Sequence, residues 1–311
     1  MNYKLFLVPL LLIALVISFS GCEQLPLIQA SKTTQPKTTP SLSSQEKFVE
    51  VSLVDFPDKM ETDMEYPITI QIENQMDVDA KNFDLSIEEE NEDYGLLTIS
   101  IDNPPMTIPS SSLENEVELT GTITTAKDKE GEDSLIAKVS YDVEQQIEGS
   151  IAFFNYEYYK KDQNIREEAL KTPPIKINLM QNAPLVVSFH LKKFKSKERA
   201  GYLPYFYRKD QPRKEKLVFD LSLGDRGHIL VDGNINKVKL DAKINGKPCV
   251  DQDGKEIKEV DLTIYRHKTV TCYFDPPEFT ESKKVVGFSI KLSYTFQEEK
   301  SYPFSVEKIE I

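Results

Sequence analysis

The stretch Pro67-Ile68-Thr69-Ile70-Gln71-Ile72-Glu73 decides the fold class, because its apolar and polar residues alternate with a period of two. Successive side chains of a β-strand point to opposite faces, so the three isoleucines are expected on one face and Thr69 and Gln71 on the other. One apolar and one polar face is typical of an antiparallel sheet that covers a core on one side and meets water on the other. The stretch therefore predicts an all-β protein.

The same alternation continues from Phe48 to the end of the chain, and the breaks in it carry Asn, Asp, Gly and Pro, which favour turns. Residues 48–161 and 175–311 each contain enough segments for a two-sheet sandwich. We expect two tandem antiparallel β-sandwich domains, joined by a linker at 162–174 with a short helix that ends before Pro173. The predicted strands are 49–55, 67–73, 82–87, 96–101, 117–124, 135–143 and 149–156 in the first half, and 185–191, 217–223, 228–231, 238–244, 260–264, 270–274, 286–296 and 303–309 in the second.

Both halves end on similar segments, Ala137-Lys138-Val139-Ser140-Tyr141-Asp142-Val143 and Ile290-Lys291-Leu292-Ser293-Tyr294-Thr295-Phe296. Each segment is followed by a polar stretch, interpreted as a turn, and by a last strand. A duplicated module explains the similarity. In each segment the tyrosine is expected on the face opposite Val139 or Leu292.

Residues Ile68 to Asn74, followed by Asp79-Ala80-Lys81-Asn82-Phe83-Asp84-Leu85, resemble immunoglobulin-like modules of the cell-adhesion-related type found on prokaryotic surfaces. In those modules, too, a strand ends in Asn before a turn and a second strand, although Gln75 to Val78 here replace the usual glycines. The resemblance covers residues 48–156, with the second half as a more diverged copy. It implies tandem immunoglobulin-like domains with a binding or spacer role at the cell envelope and no catalytic residues.

The first 22 residues have the layout of a signal peptide, with a basic start at Met1 to Lys4, an uncharged apolar run at Leu5 to Phe19, and then Ser20-Gly21-Cys22. Phe19 to Cys22 resembles the lipobox of prokaryotic lipoproteins, although Phe19 replaces the usual Leu, and this implies a lipid on Cys22. A retained N-terminal helix and plain secretion are the alternatives, and all three place the rest of the chain outside the cytoplasm. Residues 23–47 are rich in Ser, Thr, Gln and Pro and are expected to form a disordered stalk.

The chain has three cysteines, an odd number for an oxidising compartment. If Cys22 carries a lipid, Cys249 and Cys272 remain to form a disulfide in the second domain. The alternative is a pair of buried free thiols, because cysteine is often buried without a partner.

Charge separates the two halves of the chain. Residues 48–161 contain 7 Lys and Arg against 27 Asp and Glu, a net charge of −20, whereas residues 162–311 contain 27 against 22, a net charge of +5. Much of the basic excess lies in residues 192–216, here called the basic strip, which we predict to be a contact surface for anionic lipid head groups, acidic glycans or the acidic first domain of a neighbouring copy. Its alternative is a solubilising hairpin whose aromatic residues pack on its own sheet. The predicted contact residues are Lys192, Lys193, Lys195, Lys197, Arg199, Tyr202, Tyr205, Tyr207, Arg208, Lys209, Arg213, Lys214 and Lys216.

Motifs for catalysis and cofactors are not found in the sequence. His190, His228 and His267 are far apart, and there is no nucleophile elbow and no glycine-rich phosphate loop. Asp251, Asp253 and Glu256 resemble a calcium loop in composition, but the Asp253-Gly254 pair favours an ordinary hairpin turn. The acidic segment Glu88 to Asp93 is interpreted as a solvated loop tip, with weak cation binding as the alternative.

The sequence thus predicts a non-catalytic protein of the cell envelope, anchored to the membrane, that acts in adhesion, assembly or spacing. It is expected to use no cofactor and to bind protein or an envelope polymer, with self-association of acidic and basic domains as one option. Nucleic acid is not expected as a partner, because the formal net charge is −13 and the chain is expected to be exported. The alternatives are a solute- or carbohydrate-binding lipoprotein and, third, an exported hydrolase.

Overall fold

The computed structural model describes residues 48–111, 115–195, 200–210, 213–262 and 265–308. These residues belong to one compact unit and are mostly β-strand, which confirms the all-β prediction. The predicted signal peptide with Cys22 and the predicted stalk lie outside the described residues, as do Lys197 and Arg199 of the basic strip.

Most of the described chain is in antiparallel strands, with two short helices between the halves. The strands are β1 (Val49–Val54), β2 (Lys59–Glu61), β3 (Glu65–Asn74), β4 (Ala80–Glu89), β5 (Leu97–Ile101), β6 (Thr107–Ile108), β7 (Glu116–Thr125), β8 (Gly131–Asn155), β9 (Ile175–Met180), β10 (Leu185–Phe189), β11 (Lys193–Lys195), β12 (Ala200–Tyr202), β13 (Tyr205–Tyr207), β14 (Glu215–Leu223), β15 (His228–Val231), β16 (Asn234–Ile235), β17 (Lys237–Ile244), β18 (Lys247–Pro248), β19 (Glu259–Asp261), β20 (His267–Phe274) and β21 (Lys283–Glu307). The helices are α1 (Tyr156–Lys161) and α2 (Gln163–Lys171).

Strands β8 and β21 form a long antiparallel ribbon, and each contributes 25 residues. Their pairing runs without a break from Gly131 opposite Val306 to Phe154 opposite Lys283. At about 3.3 Å per residue, a strand of this length extends up to about 80 Å. The ribbon forms the centre of a 12-stranded sheet that contains strands from both halves of the sequence.

Two smaller sheets pack on the buried face of this ribbon. The sheet β1-β3-β7-β5 covers one half, where Phe48 contacts Phe296 with ring centroids 6.0 Å apart. The sheet β10-β14-β20 covers the other half, where Phe189 contacts Phe288 at 5.3 Å. Separate tandem immunoglobulin-like domains are therefore not confirmed, because both halves share the ribbon and one continuous hydrophobic core.

The strand order repeats in the two halves. β3 lies between β1 and β7, and β14 lies between β10 and β20, while β4 pairs with β8 as β17 pairs with β21. The two similar segments meet in the ribbon at their last residues, where 141–143 pair with 294–296 around Asp142 and Thr295. The Thr295 hydroxyl donates to the Asp142 carboxylate at 2.6 Å. Equivalent residues are therefore related by a local two-fold axis at this pair, as expected for a duplicated module.

Two features of these segments were predicted wrongly. The polar stretches that follow them were expected to be turns, but residues 144–148 and 297–302 continue β8 and β21 as strand. The tyrosines were expected to face away from Val139 and Leu292. Tyr141 and Tyr294 are instead buried on the same face as those residues, because side chains two positions apart in a strand point the same way.

A cationic cleft as the candidate functional site

A cleft of about 830 Å³ lies at the end of the ribbon where α1 follows β8. This volume is in the range of about 300 to 1,000 Å³ that ligand sites usually have. Four chain segments form its walls, namely residues 206–209, 213 and 215 of the basic strip, the β17–β18 turn, the end of β20 with the loop after it, and the start of β21. The cleft residues are Phe206, Tyr207, Arg208, Lys209, Arg213, Glu215, Ile244, Asn245, Lys247, Phe274, Asp275, Pro276, Pro277, Glu278 and Lys284.

Strand β13 positions the basic strip at the cleft because it pairs in parallel with the end of β8, with Tyr205 opposite Phe153 and Tyr207 opposite Asn155. The Tyr205 ring packs between Phe153 and Phe274, at centroid distances of 5.6 Å and 6.4 Å. Its hydroxyl donates to the Lys216 carbonyl at 2.7 Å, and burial raises the pKa of the phenol. Tyr205 thus anchors this wall to the core instead of meeting solvent.

The neighbouring aromatic residues also pack inward. Phe206 contacts Tyr159 of α1 at 4.8 Å, and Tyr207 contacts Phe279 at 5.0 Å. Tyr202 lies on β12, below the Lys193 ammonium group at 5.8 Å. The aromatic residues of the basic strip therefore mainly attach it to the body of the protein.

The positively charged side chains around the cleft differ in the contacts that their charged groups make. Arg208 stacks on the Tyr156 ring at 3.9 Å, and Lys284 donates to the Glu278 carbonyl at 3.1 Å. Lys209, Arg213 and Lys247 are exposed and, within the described ranges, make no ion pair and no side-chain hydrogen bond. Three cations that form no close ion pair among the described residues therefore line one concave site, although the charge of Arg213 also acts on the nearby Glu215 carboxyl group.

Glu215 is the acidic residue of the basic strip that lines the cleft and is partly buried. Burial raises the pKa of its carboxyl group above the ordinary value, although Arg213, Lys192 and Arg208 act in the opposite direction. The net effect means that the local cations do not fully offset the loss of water around this carboxylate.

The structure divides the residues of the basic strip between separate places. It brings Arg208, Lys209 and Arg213 to the cleft, whereas Lys193 and Lys195 lie on the separate two-stranded sheet β11-β12. Lys192 precedes that sheet, Lys214 is exposed beside β14, and Lys216 lies 4.8 Å from the Tyr273 ring. Sequence reasoning missed Lys247 and Lys284, because nothing in their local sequence indicates which distant segment they approach. The Asn245-Gly246 pair before Lys247 does indicate a tight turn, and both residues have positive φ.

Two of the three histidines converge on one carboxylate, away from the cleft. His190 Nε2 lies 2.5 Å from Asp220 Oδ2, and His267 Nε2 lies 3.5 Å from Oδ1. Thr269 donates to Oδ1 at 2.6 Å. Burial raises the pKa of the Asp220 carboxyl, but these hydrogen bonds and the two imidazoles outweigh it and leave the pKa below its ordinary value. In this group the Asp220 carboxylate lies between the Thr269 hydroxyl and the imidazoles. Nucleophilic catalysis instead needs an imidazole beside the hydroxyl, so that the imidazole can accept the hydroxyl proton.

The predicted disulfide between Cys249 and Cys272 is present, and both cysteines are buried. Nearby, the Asp251 carboxylate accepts hydrogen bonds from the Asp253 and Lys255 N–H groups, both at 2.9 Å, as in a hairpin turn. Glu256 is paired with Lys258 at 3.3 Å. In the part of the chain that the structure describes, no group of three or more His, Cys, Asp or Glu side chains is arranged to hold a metal ion. Over the same residues, no helix has the length and hydrophobicity needed to span a membrane.

No family model matches the chain, and no curated protein matches it. Among solved structures, the secreted serine protease VesC from Vibrio cholerae has 8% identity and a TM-score of 0.21, with 84% of this chain and 52% of that chain covered, so this chain spans about half its length. The partial N-terminal region of an enterococcal surface protein has 9% identity and a TM-score of 0.18, covering 81% and 86%. Collagen adhesin from S. aureus has 12% identity and a TM-score of 0.12, covering 86% and 94%. These TM-scores are too low to support an argument about fold or function.

Proposed function

We propose that this protein is a non-catalytic binding module of the cell envelope, and that the cationic cleft is its contact site. One observation carries the proposal, namely that Lys209, Arg213 and Lys247 face one cleft without ion pairs in the described part of an otherwise acidic chain. Carboxylate and phosphate groups form the strongest hydrogen bonds with such cations. We therefore propose an anionic polymer, either an acidic protein segment or an acidic envelope polysaccharide, as the ligand class.

Export to an oxidising compartment is supported by the Cys249–Cys272 disulfide, because such bonds persist mainly outside the reducing cytoplasm. Membrane attachment through a lipid on Cys22 is part of the proposal and rests on the sequence of residues 19–22. In this arrangement residues 23–47 would separate the β-body from the membrane, so that the cleft can reach a partner in the envelope. The repeated strand order fits diverged immunoglobulin-like modules fused through their last strands.

A solute-binding role is the second candidate, because a cleft of about 830 Å³ could enclose a small anionic molecule. The two roles differ in ligand size. If the cleft binds a small solute, free glutamate should bind as strongly as polyglutamate at the same carboxylate concentration. If the cleft binds a polymer, several linked carboxylates are required, and polyglutamate should bind more strongly.

Binding of fluorescent polyglutamate to the full chain in a nonionic detergent tests the proposal. We expect the triple variant Lys209→Gln/Arg213→Gln/Lys247→Gln to bind at least about tenfold more weakly at low salt, since each lost charge-assisted contact contributes about 1 kcal/mol or more. A variant with the same change in net charge, Lys176→Gln/Lys255→Gln/Lys291→Gln, replaces exposed lysines outside the cleft and should bind like the wild type. Equal loss of affinity in both variants would show only general charge attraction and would refute the assignment of the cleft.

A further inference from the structure

The turn between β4 and β5 presents three carboxylates that are exposed and have no ion pair among the described residues. We call Glu90, Glu92 and Asp93 the acidic tip. Neighbouring interactions give this turn a defined conformation. The Glu89 carboxylate is buried and accepts hydrogen bonds from the N–H groups of Leu96, at 3.2 Å, and Leu97.

A second attachment fixes the acidic tip to the ribbon. The Asn91 side chain donates to the Asp133 carboxylate at 2.9 Å, and the Asn91 N–H donates to it at 3.3 Å. Glu88, just before the tip, pairs with Lys138 of β8. The backbone that carries the three tip carboxylates is therefore an ordered turn, so that little backbone entropy is lost when they bind.

The acidic tip and the cationic cleft lie near opposite ends of the same ribbon. Glu89, next to the tip, is opposite Leu135 of β8, whereas Lys284 of the cleft is opposite Phe153. The 18 residue-to-residue steps from Leu135 to Phe153 correspond to up to about 60 Å of strand. A tip cannot reach the cleft of its own chain, because the strand between them is continuous and is paired with β21 along this whole stretch.

We propose that the acidic tip of one copy docks in the cationic cleft of a second copy, so that the protein assembles head to tail. This rests on the proposed function, because it takes the cleft to be a binding site for linked carboxylates and names the partner. Three carboxylates on the tip match in number the three cleft cations without a close ion pair among the described residues, namely Lys209, Arg213 and Lys247. The net charges of −20 and +5 for the two halves favour the same arrangement, because the acidic half of one copy attracts the basic half of another.

Head-to-tail contacts use two different surfaces and repeat from copy to copy, so they generate open chains or closed rings and not a symmetric dimer limited to two copies. The contact is mainly electrostatic and exposed at its rim, so salt should weaken it strongly. Assembly of this kind would give a polymeric layer whose subunits are each attached near their first strand.

Charge exchange between the two surfaces tests the inference. The tip variant is Glu90→Lys/Glu92→Lys/Asp93→Lys, and the cleft variant is Lys209→Glu/Arg213→Glu/Lys247→Glu. Sedimentation velocity of the full chain in a nonionic detergent should show concentration-dependent oligomers for the wild type at about 50 mM salt and a monomer at about 500 mM, where the Debye length is shorter. Each variant alone should associate at least about tenfold more weakly. An equimolar mixture should regain association, because the acidic tip of one variant meets the basic cleft of the other.

A control variant, Asp84→Lys/Glu116→Lys/Glu118→Lys, reverses three exposed acids outside the tip and should associate like the wild type. Wild-type association by the tip variant, or failure of the mixture to recover, would overturn the inference. Polyglutamate binding separates this result from the proposed function. A wild type that stays monomeric at low salt but binds polyglutamate through the cleft would refute head-to-tail assembly and leave the proposed function standing. Polyglutamate binding that the variant Lys209→Gln/Arg213→Gln/Lys247→Gln does not weaken would refute the proposed function itself.

Discussion

The disulfide between Cys249 and Cys272 leads to a quantitative prediction for the stability of the second half. The bond closes a ring that contains the Asp253-Gly254 turn and β19, with a sequence separation of 23. For a ring of about 24 residues, the chain-entropy relation gives about 3.4 kcal/mol at 25 °C. The double variant Cys249→Ala/Cys272→Ala should therefore lower the free energy of unfolding by about 3 kcal/mol, and by up to 5 if the vacated sulfur volume stays empty.

Urea unfolding followed by circular dichroism measures this difference, with the oxidised wild type, the reduced wild type and the double variant compared at the same pH. The reduced wild type should lose nearly as much stability as the double variant. Val270→Ala is a useful control, because Val270 is buried on β20 near Cys272 but leaves the disulfide intact. That variant should be destabilised and still respond to reductant. A loss of less than about 1 kcal/mol in the double variant would contradict the entropic explanation.

Three further predictions concern single side chains. Gly149→Ala should cost about 1 to 3 kcal/mol in urea unfolding, because the added Cβ would lie 2.4 Å from Phe288 Cζ and 2.6 Å from the Lys176 carbonyl oxygen. Glu215→Gln should make the decline in thermal stability above about pH 4.5 smaller, because the raised pKa of this carboxyl makes the folded state bind more protons there than the unfolded state. Asp220→Asn should cost about 1 to 2 kcal/mol at pH 7 through its lost charge-assisted hydrogen bonds. That cost should disappear in urea unfolding as pH falls below about 4, because the native Asp220 pKa is lowered and its stabilising charge is lost there.

Alternation in the sequence was sufficient to predict individual strands and their buried faces. Ile68, Ile70 and Ile72 were expected on one face, and all three are buried against the core. Local alternation is reliable here because the geometry of the strand alone determines which side chains share a face. The disulfide could also be predicted, because the lipid expected on Cys22 left Cys249 and Cys272 to pair.

The shared ribbon could not be predicted, because polar residues within it form hydrogen bonds with residues far away in the sequence. The stretch Glu144 to Glu148 was interpreted as a turn, but Gln145 is buried and its side-chain amide donates to the Gln181 carbonyl at 3.0 Å. The Gln146 N–H donates to the Gln181 side chain at 2.7 Å. A polar residue that finds such a partner can remain in a strand interior, and the identity of that partner, 35 residues away, is not readable from local pattern.

The cleft was predictable only in part, for the same reason. Arg208, Lys209 and Arg213 were recognised from their place in a basic strip, and the structure brings them to one wall. Lys247 follows a hairpin turn that looked ordinary in the sequence. Its position across the cleft depends on β17 pairing with β21, since Ile244 lies opposite Phe288. Long-range register thus determined which cations face one another.

The repeated strand order gives a reason to regard the surface charges as functional. The halves have the same order of strands around the ribbon, yet their net charges are −20 and +5. Because the same arrangement of strands forms with a net charge of either sign, the fold itself requires neither charge. Exposed charges also contribute little to stability. Strong net charge of one sign even destabilises a compact state through self-repulsion. The divergence between two copies of one module is therefore better explained by partners that meet the two ends of the ribbon differently, as expected if one end donates carboxylates and the other receives them.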